Sequence, residues 1–294
     1  MEVIWALVRR SVGFFSYEGH RLVYTDWGAG DRPFVLLPGL ILPRRMHDPL
    51  AERLAARGHR VISLDPLGHG DSDRPLEPWR YSMARCALQT VALLDHLGLE
   101  RAVIGGTSQG ANVALEAAVL SPERVAGLVL EMPVLDHGEE AVLAIFTATM
   151  FAMRYGAPAF RLAGAVARRM PLGRSALLDT GLVYAGQDPE ATAAAIQGLN
   201  FGRTAPPVEE RREIEAPALV IAHTLDPLHP LADAQAVAGE MPNARLLRAR
   251  SILEMRFSPD RLAGQIADFL DETWTAREGR DPKPKRRTAA AARR

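Results

Sequence analysis

Cysteine is almost absent from this sequence of 294 residues, because Cys86 is the only one. A single cysteine cannot form an intrachain disulfide, which excludes a disulfide-stapled scaffold and fits a reducing compartment. Cys86 falls in a predicted helix, so we expect a core residue and not a catalytic thiol. With 48% hydrophobic residues, the chain is long enough for one large domain or for a core domain with an insertion.

Long hydrophobic runs are missing as well. No apolar run approaches the roughly 20 residues that a membrane-spanning helix needs. Residues 1–10 place their basic side chains after the apolar part and contain no small-residue cleavage site, so we expect neither a signal peptide nor an anchor. These absences predict a cytoplasmic protein without a membrane span.

Lysine is scarce, and both lysines, Lys283 and Lys285, lie near the C-terminus. The whole chain is neutral, with 35 basic and 35 acidic residues, but residues 277–294 hold eight basic residues against two acids. Residues 276–294 are rich in proline, alanine and arginine and show no apolar periodicity, which predicts a disordered, solvated basic tail. We expect no nucleic-acid partner, and the composition sets no oligomeric state.

Residues 103–115 are the segment around which the chain is organised. A short apolar run precedes Gly106-Thr107-Ser108-Gln109-Gly110, and an alanine-rich helical pattern follows it. A serine on a sharp strand-to-helix turn needs glycines on both sides, because larger side chains would collide across the turn. The helix N-terminus would face whatever Ser108 attacks. This pattern predicts a nucleophile elbow.

Short apolar strands alternate with helices before and after this turn. This alternation predicts an α/β fold with a mostly parallel, doubly wound sheet, which is entered through an antiparallel hairpin at residues 13–25. The further strands are predicted at 34–37, 61–64, 103–106, 125–130, 218–222 and 244–247. Helices are predicted at 45–57, 83–97 and 259–273, besides the helix that follows Ser108.

Strands disappear from the pattern between about residues 133 and 207. Helical segments are predicted there near 139–155, 158–170, 175–183 and 189–197. We therefore predict a core in two parts, residues 1–132 and 208–275, with a helical cap insertion at 133–207. Apolar side chains at helical spacing in this cap favour an apolar substrate pocket. These side chains are Phe146, Met150, Phe151 and Met153.

Over roughly residues 12–275 the chain resembles the α/β-hydrolase fold family, which includes esterases, lipases, epoxide hydrolases, haloalkane dehalogenases and lactonases. The resemblance is carried by the elbow, the Pro38-Gly39-Leu40 turn, the Asp65-x-x-Gly68-x-Gly70-x-Ser72 loop and the Asp226-Pro227 turn. It implies that Ser108 is the nucleophile and Asp226 the catalytic acid, with Glu131 as a backup acid. Backbone N–H groups of Leu40 and Gln109 would form the oxyanion hole. Neither a cofactor nor a metal is implied.

The family's catalytic base is missing from its usual place. Aligned on Pro259, the family's Gly-His pair falls at Ser251-Ile252, and no histidine follows His229. We therefore expect Ile252 to lie near Ser108 and Asp226, with no imidazole nitrogen within hydrogen-bond reach of the Ser108 Oγ. Three histidines are candidates for a relocated base. They are His47, His223 and His229.

Two functions remain open. The first is a serine hydrolase that acts on an ester, thioester or lactone with an apolar acyl part through a Ser108 acyl-enzyme. The alternative is a catalytically impaired pseudo-hydrolase, or a lyase-like binder of small molecules, that keeps the pocket without the triad. Haloalkane dehalogenase chemistry is disfavoured, since it needs a carboxylate at the position of Ser108.

Overall fold

The computed structural model describes residues 9–173, 175–224, 226 and 228–278. Its strands are β1 (Arg10–Tyr17), β2 (His20–Trp27), β3 (Pro33–Leu37), β4 (Arg60–Asp65), β5 (Ala102–Thr107), β6 (Val125–Glu131), β7 (Ala218–Ala222) and β8 (Ala244–Arg248). Its helices are α1 (Asp48–Ala55), α2 (Met83–His96), α3 (Gln109–Leu120), α4 (Asp136–Tyr155), α5 (Ala157–Ala167), α6 (Ala176–Ala185), α7 (Pro189–Phe201), α8 (Val208–Arg212), α9 (Leu231–Glu240), α10 (Glu254–Phe257) and α11 (Asp260–Glu278).

The strands form one sheet in the order β1-β2-β4-β3-β5-β6-β7-β8. β1 and β2 form an antiparallel hairpin, β2 pairs antiparallel with β4, and all later pairings are parallel. The predicted mostly parallel α/β sheet is therefore confirmed. Every residue of β3, β5, β6 and β7 is buried, as expected for strands that are covered on both faces.

Two apolar layers cover the two faces of the sheet. On one face, Leu93 of α2 and Leu115 of α3 belong to the larger core cluster. On the other face, Leu54 of α1 and Ile266 of α11 belong to the second cluster. Because both layers are packed, the free ends of β5, β6 and β7 provide the floor on which a site can form.

Between β6 and β7 the described residues form helices and no strand. α4 lies against α7, where the Asn200 Nδ2 donates to the Thr147 Oγ1 at 3.3 Å. α5 packs on α6 through Gly164, where a Cβ would lie 2.9 Å from the Ala185 carbonyl oxygen. These helices occupy the segment that the sequence predicts as a cap insertion.

The C-terminal helix is longer than its sequence pattern predicts. α11 continues to Glu278, so residues 276–278, for which the sequence predicts a disordered tail, are helical. Residues 279–294, the rest of that predicted tail, lie outside the described residues. In the described part of the chain, no single helix is long and apolar enough to cross a membrane. α4 and α5 reach that length and composition only together, across a bend of 91°.

Candidate active site

The turn after β5 holds Ser108 in a backbone conformation that side chains rarely adopt. Its φ is 54° and its ψ is −114°, between the end of β5 and the start of α3. Such strain persists only where the surroundings fix the residue. Here the Ser108 N–H donates to the Glu131 carbonyl at 2.8 Å, and the Ser108 carbonyl accepts from the Ala111 N–H at 2.9 Å. Strand and helix together hold the serine in place.

The glycines at positions 106 and 110 are required by a close approach of the backbone. A Cβ on either Gly106 or Gly110 would overlap the Leu37 carbonyl oxygen at the end of β3. β3 is hydrogen-bonded to β5, so this carbonyl cannot move away without breaking the ladder. The Gly-x-Ser-x-Gly pattern thus has a steric cause.

The loop between β7 and α9 places His229 on Ser108 and Asp226 on His229. The His229 Nε2 lies 2.9 Å from the Ser108 Oγ, and the His229 Nδ1 lies 2.8 Å from the Asp226 Oδ2. Because a carboxylate only accepts, the His229 Nδ1 donates to Asp226, which leaves Nε2 free to accept the Ser108 hydroxyl proton. The result is a continuous chain of hydrogen bonds from acid to imidazole to hydroxyl.

Asp226 is oriented by the backbone of its own turn. Its Oδ1 accepts from the Leu228 N–H at 2.8 Å and from the His229 N–H at 3.1 Å. These bonds leave Oδ2 directed at the imidazole. One short turn therefore fixes the acid, the histidine and the angle between them.

The expectation that no imidazole nitrogen reaches the Ser108 Oγ is wrong. Ile252 lines the same cavity as Ser108 and Asp226, but the histidine that contacts the serine comes from the β7–α9 loop. His229 lies before α9, outside the segment after β8 in which the family's histidine is expected. An Asp-x-x-His spacing after a buried strand was the signal available in the sequence.

The other two candidate bases contact different partners. The buried His47 donates from Nε2 to the Leu37 carbonyl at 3.0 Å. Burial, together with the charge of Arg256 and against that of Glu131, lowers the pKa of His47 to about 4. His223 faces the Ser251 carbonyl at 3.0 Å and the Glu131 Oε1 at 3.2 Å. Both of these partners are acceptors, so neither nitrogen of His223 faces a hydroxyl.

Glu131, the backup acid, is bonded to His223 and not to His229. It is buried at the end of β6, where it also accepts from the Thr107 hydroxyl and from the Arg256 guanidinium. Burial raises the pKa of the Glu131 carboxyl, but the charge of Arg256 and the three hydrogen bonds outweigh it and hold that pKa well below its ordinary value. Arg256 lies 125 residues away from Glu131 along the chain, and no local sequence pattern indicates this contact.

The two candidate oxyanion donors come from the turn after β3 and from the first residue of α3. The Gln109 N–H is the first of α3 and has no acceptor within the helix. The Gln109 side chain is held by the His69 Nε2 at 3.0 Å. Leu40 lies in a turn closed by the Leu42 N–H donating to the Gly39 carbonyl at 3.0 Å, and it lines the same cavity as Ser108.

The loop after β4, which contains Gly68 and Gly70, is held in place by the buried carboxylate of Asp65. Asp65 pairs with the guanidinium of Arg44 and accepts from the Asp71 N–H at 2.9 Å. The Ser72 hydroxyl donates to the Asp65 carbonyl at 2.6 Å, and a Cβ on Gly70 would overlap the Asp65 carboxylate. These contacts give the Asp65 loop a structural role.

A cavity of about 660 Å³ opens above Ser108. Its walls are mostly apolar, and its polar atoms belong mainly to the serine, histidine and aspartate just described, to two threonines and to Arg256. The apolar lining comprises Leu40, Leu42, Met46, Met132, Val142, Phe146, Leu177, Leu228, Ile252 and Leu253. The apolar side chains predicted to line the pocket do not all do so. Phe146 lines the cavity, whereas Met153 is buried and Phe151 is half exposed.

The described residues contain no group of three or more His, Cys, Asp or Glu side chains arranged to hold a metal ion. A family model described as alpha/beta hydrolase fold matches residues 32–250. The chain belongs to the α/β-hydrolase fold family. The match contains the Ser108 turn as well as Asp226 and His229.

Individual relatives of this α/β-hydrolase resemble parts of it. Epoxide hydrolase A of Mycobacterium tuberculosis is 35% identical over 127 residues, which are 42% of this chain and 38% of the relative. The 2-hydroxymuconate semialdehyde hydrolase of Pseudomonas putida is 42% identical over 76 residues, 26% of this chain and 27% of the relative. The chain thus spans two fifths or less of the curated relatives it matches.

Solved structures match over a larger share of the chain. The enol-lactonase from Burkholderia xenovorans LB400 aligns with a TM-score of 0.71, covering 88% of this chain and 100% of that chain at 23% identity. At this identity the likeness shows the fold, which agrees with the strand order described above.

Proposed function

We propose that this α/β-hydrolase is a serine hydrolase with Ser108 as nucleophile, His229 as general base and Asp226 as the orienting acid. The observation that carries the proposal is the hydrogen-bond chain from Asp226 through His229 to the Ser108 Oγ, with distances of 2.8 and 2.9 Å. A serine hydroxyl is a weak nucleophile until a base takes its proton and a third group orients that base. All three roles are filled by side chains already in contact.

In the proposed reaction, the Ser108 hydroxyl gives its proton to the His229 Nε2 while Oγ bonds to the substrate carbonyl carbon. The carbonyl electron pair moves to oxygen, where the N–H groups of Leu40 and Gln109 stabilise the negative charge. When the oxyanion collapses, the bond to the leaving oxygen or sulfur breaks, and His229 returns the proton to that atom. An acyl-Ser108 ester remains.

Water completes the cycle by the same steps. His229 takes a proton from water as the oxygen attacks the acyl carbonyl, and it then protonates the Ser108 Oγ as the ester bond breaks. The carboxylic acid leaves and the serine is restored. Asp226 stays ionised throughout and stabilises the imidazolium that forms in each half-reaction.

The cavity supports the proposed substrate class. Its volume of about 660 Å³ and its apolar lining suit an ester, thioester or lactone whose acyl part is apolar. The alternative, a pseudo-hydrolase or lyase-like binder, rested on the missing base. An imidazole in contact with the Ser108 Oγ favours hydrolysis over that alternative.

A series of p-nitrophenyl esters of graded chain length tests the proposal. We expect turnover by the wild type, with higher kcat/KM for longer acyl chains than for acetate, and loss of turnover in Ser108→Ala with the fold retained. Ser16→Ala is the matched control, because Ser16 is exposed on β1, outside the cavity. Turnover that persists in Ser108→Ala would refute the assignment of the nucleophile.

A further inference from the structure

The outer surface of the helical insertion is apolar and exposed. Four side chains of α4 and α5, with exposed fractions from 48% to 78%, form what we call the outer apolar face. They are Phe151, Tyr155, Leu162 and Val166. The rings of Phe151 and Tyr155 stack on each other with centroids 6.1 Å apart. Exposed apolar groups on this scale usually mark an interaction surface.

The fold prevents these helices from turning the face inward. The opposite side of α4 is already in use, since Val142 and Phe146 line the cavity and Met153 is buried. The opposite side of α5 is packed on α6 at Gly164. Rotation of either helix would expose these inner contacts, so the outer apolar face needs a partner from outside the molecule.

The charged residues of the stretch that carries this face are all arginines. Residues 141–178 contain five arginines and no acidic residue, although acids equal bases in the whole chain. Arg161 is neutralised by Glu190 at 2.7 Å. Arg154 and Arg169 are exposed, and neither has an ion-pair partner within the described ranges. Apolar side chains flanked by unpaired arginines suit a surface that is both apolar and negatively charged.

The shape of the insertion favours docking along a surface over insertion across it. α4 and α5 are bent by 91° relative to each other, and α4 is bonded to α7 through Thr147 and Asn200. We propose that the outer apolar face docks on an anionic lipid bilayer, with the apolar side chains in the interfacial layer and Arg154 and Arg169 near the phosphates. Leu177, on the neighbouring helix α6, is half exposed and also lines the cavity.

Vesicle flotation of the full chain tests this proposal without turnover, so its outcome is independent of the function of Ser108. We expect binding to phosphatidylcholine vesicles that contain phosphatidylserine, and binding at least about tenfold weaker for Leu162→Glu/Val166→Glu. The matched control is Leu76→Glu/Val12→Glu, which changes the same residue types at similar exposure outside the insertion. Val12 and Val166 are 56% and 54% exposed, and Leu76 and Leu162 are 60% and 70% exposed.

Further measurements separate the bilayer from other partners. Tyr155→Trp should show a blue shift of its emission on adding the anionic vesicles, and Arg154→Gln/Arg169→Gln should weaken binding to them. Binding that Leu162→Glu/Val166→Glu leaves unchanged would overturn the proposal and point to another segment, such as the basic residues 277–294. A dimer that this variant dissociates, with no vesicle binding by the wild type, would overturn it in favour of a second copy of the chain.

Discussion

Two acid–histidine pairs lie near the ends of the neighbouring strands β6 and β7, and they differ in the groups that they contact. Asp226 and His229 belong to one loop, and the His229 imidazole contacts both Asp226 and the hydroxyl of Ser108. Glu131 and His223 are buried at the ends of β6 and β7, and their remaining contacts are a guanidinium, a threonine hydroxyl and a backbone carbonyl.

The comparison shows that residue type does not determine the role of such a pair. A general base needs one nitrogen free to accept and a proton within reach of it. The His229 Nε2 meets both conditions, whereas both nitrogens of His223 face acceptors. The charge of Glu131 is compensated by Arg256, so this second pair ties the loop after β8 to the end of β6. We expect the first pair to govern activity and the second to govern stability.

The largest effect should follow loss of the imidazole at position 229. In His229→Ala, the Ser108 hydroxyl has no acceptor for its proton, and we expect kcat for an apolar p-nitrophenyl ester to fall by at least about 10⁴-fold. In the control variant His223→Gln, kcat should change by less than about tenfold, because that ring touches no reacting atom. Equal losses in the two variants would remove the distinction between the pairs.

Asp226→Asn should come next, with kcat lower by about 10³–10⁴-fold. The asparagine oxygen can still accept from the N–H groups of Leu228 and His229, so the turn is kept. Its NH₂ group then faces the His229 Nδ1, which must accept, and the proton moves to Nε2, where it blocks transfer from Ser108. Stability measured by urea unfolding should change by less than about 1 kcal/mol. A large loss of stability would instead give Asp226 a structural role.

Glu131→Gln should show the reverse pattern. Removing the carboxylate leaves the largely buried guanidinium of Arg256 without its charged partner, and the free energy of unfolding should fall by about 3 kcal/mol, the lower end for a buried pair. Where the variant remains folded, the kcat it retains should exceed that of Asp226→Asn. A Glu131→Gln protein as stable as the wild type would show that the Glu131 cluster contributes little to the fold.

The buried His47 should make the stability of the fold depend on pH. Its pKa is lowered by burial from 6.5 to about 4, so the unfolded chain binds a proton below pH 6.5 that the folded chain takes up only near pH 4. The free energy of unfolding should therefore decrease by on the order of 3 kcal/mol as the pH falls from 6.5 to 4. The difference in unfolding free energy between the wild type and His47→Gln should shrink by that amount from pH 7 to pH 4. A difference independent of pH would contradict this account.

Much of the fold could be predicted because its signals are local. The apolar runs at 34–37 and 218–222 and the glycines around Ser108 reflect burial and steric contact, which leave a direct pattern in the sequence. From the sequence alone, the identity of the proposed catalytic base can be narrowed only to three histidines. The choice among them depends on the path of the loop after β7, which brings together residues that are 121 positions apart.

The contacts of Glu131 are equally hard to predict from the sequence. Arg256 follows the position where the family's histidine was expected, and nothing in its local sequence indicates that it reaches the end of β6. The sequence also treats Phe146 and Phe151 alike at helical spacing. The structure separates them, one toward the cavity and the other outward, because α4 packs against the core along only one of its faces.

The central claim is that His229 activates Ser108 from a loop that does not normally carry the base in this family. The rate at which a fluorophosphonate probe labels Ser108, followed by intact mass, tests it most directly, since phosphonylation requires an activated serine and no particular substrate. We predict rapid labelling in the wild type and in His223→Gln, and labelling slower by at least about 10³-fold in His229→Ala. Labelling of His229→Ala at the wild-type rate, or its loss in a folded His223→Gln, would contradict the account.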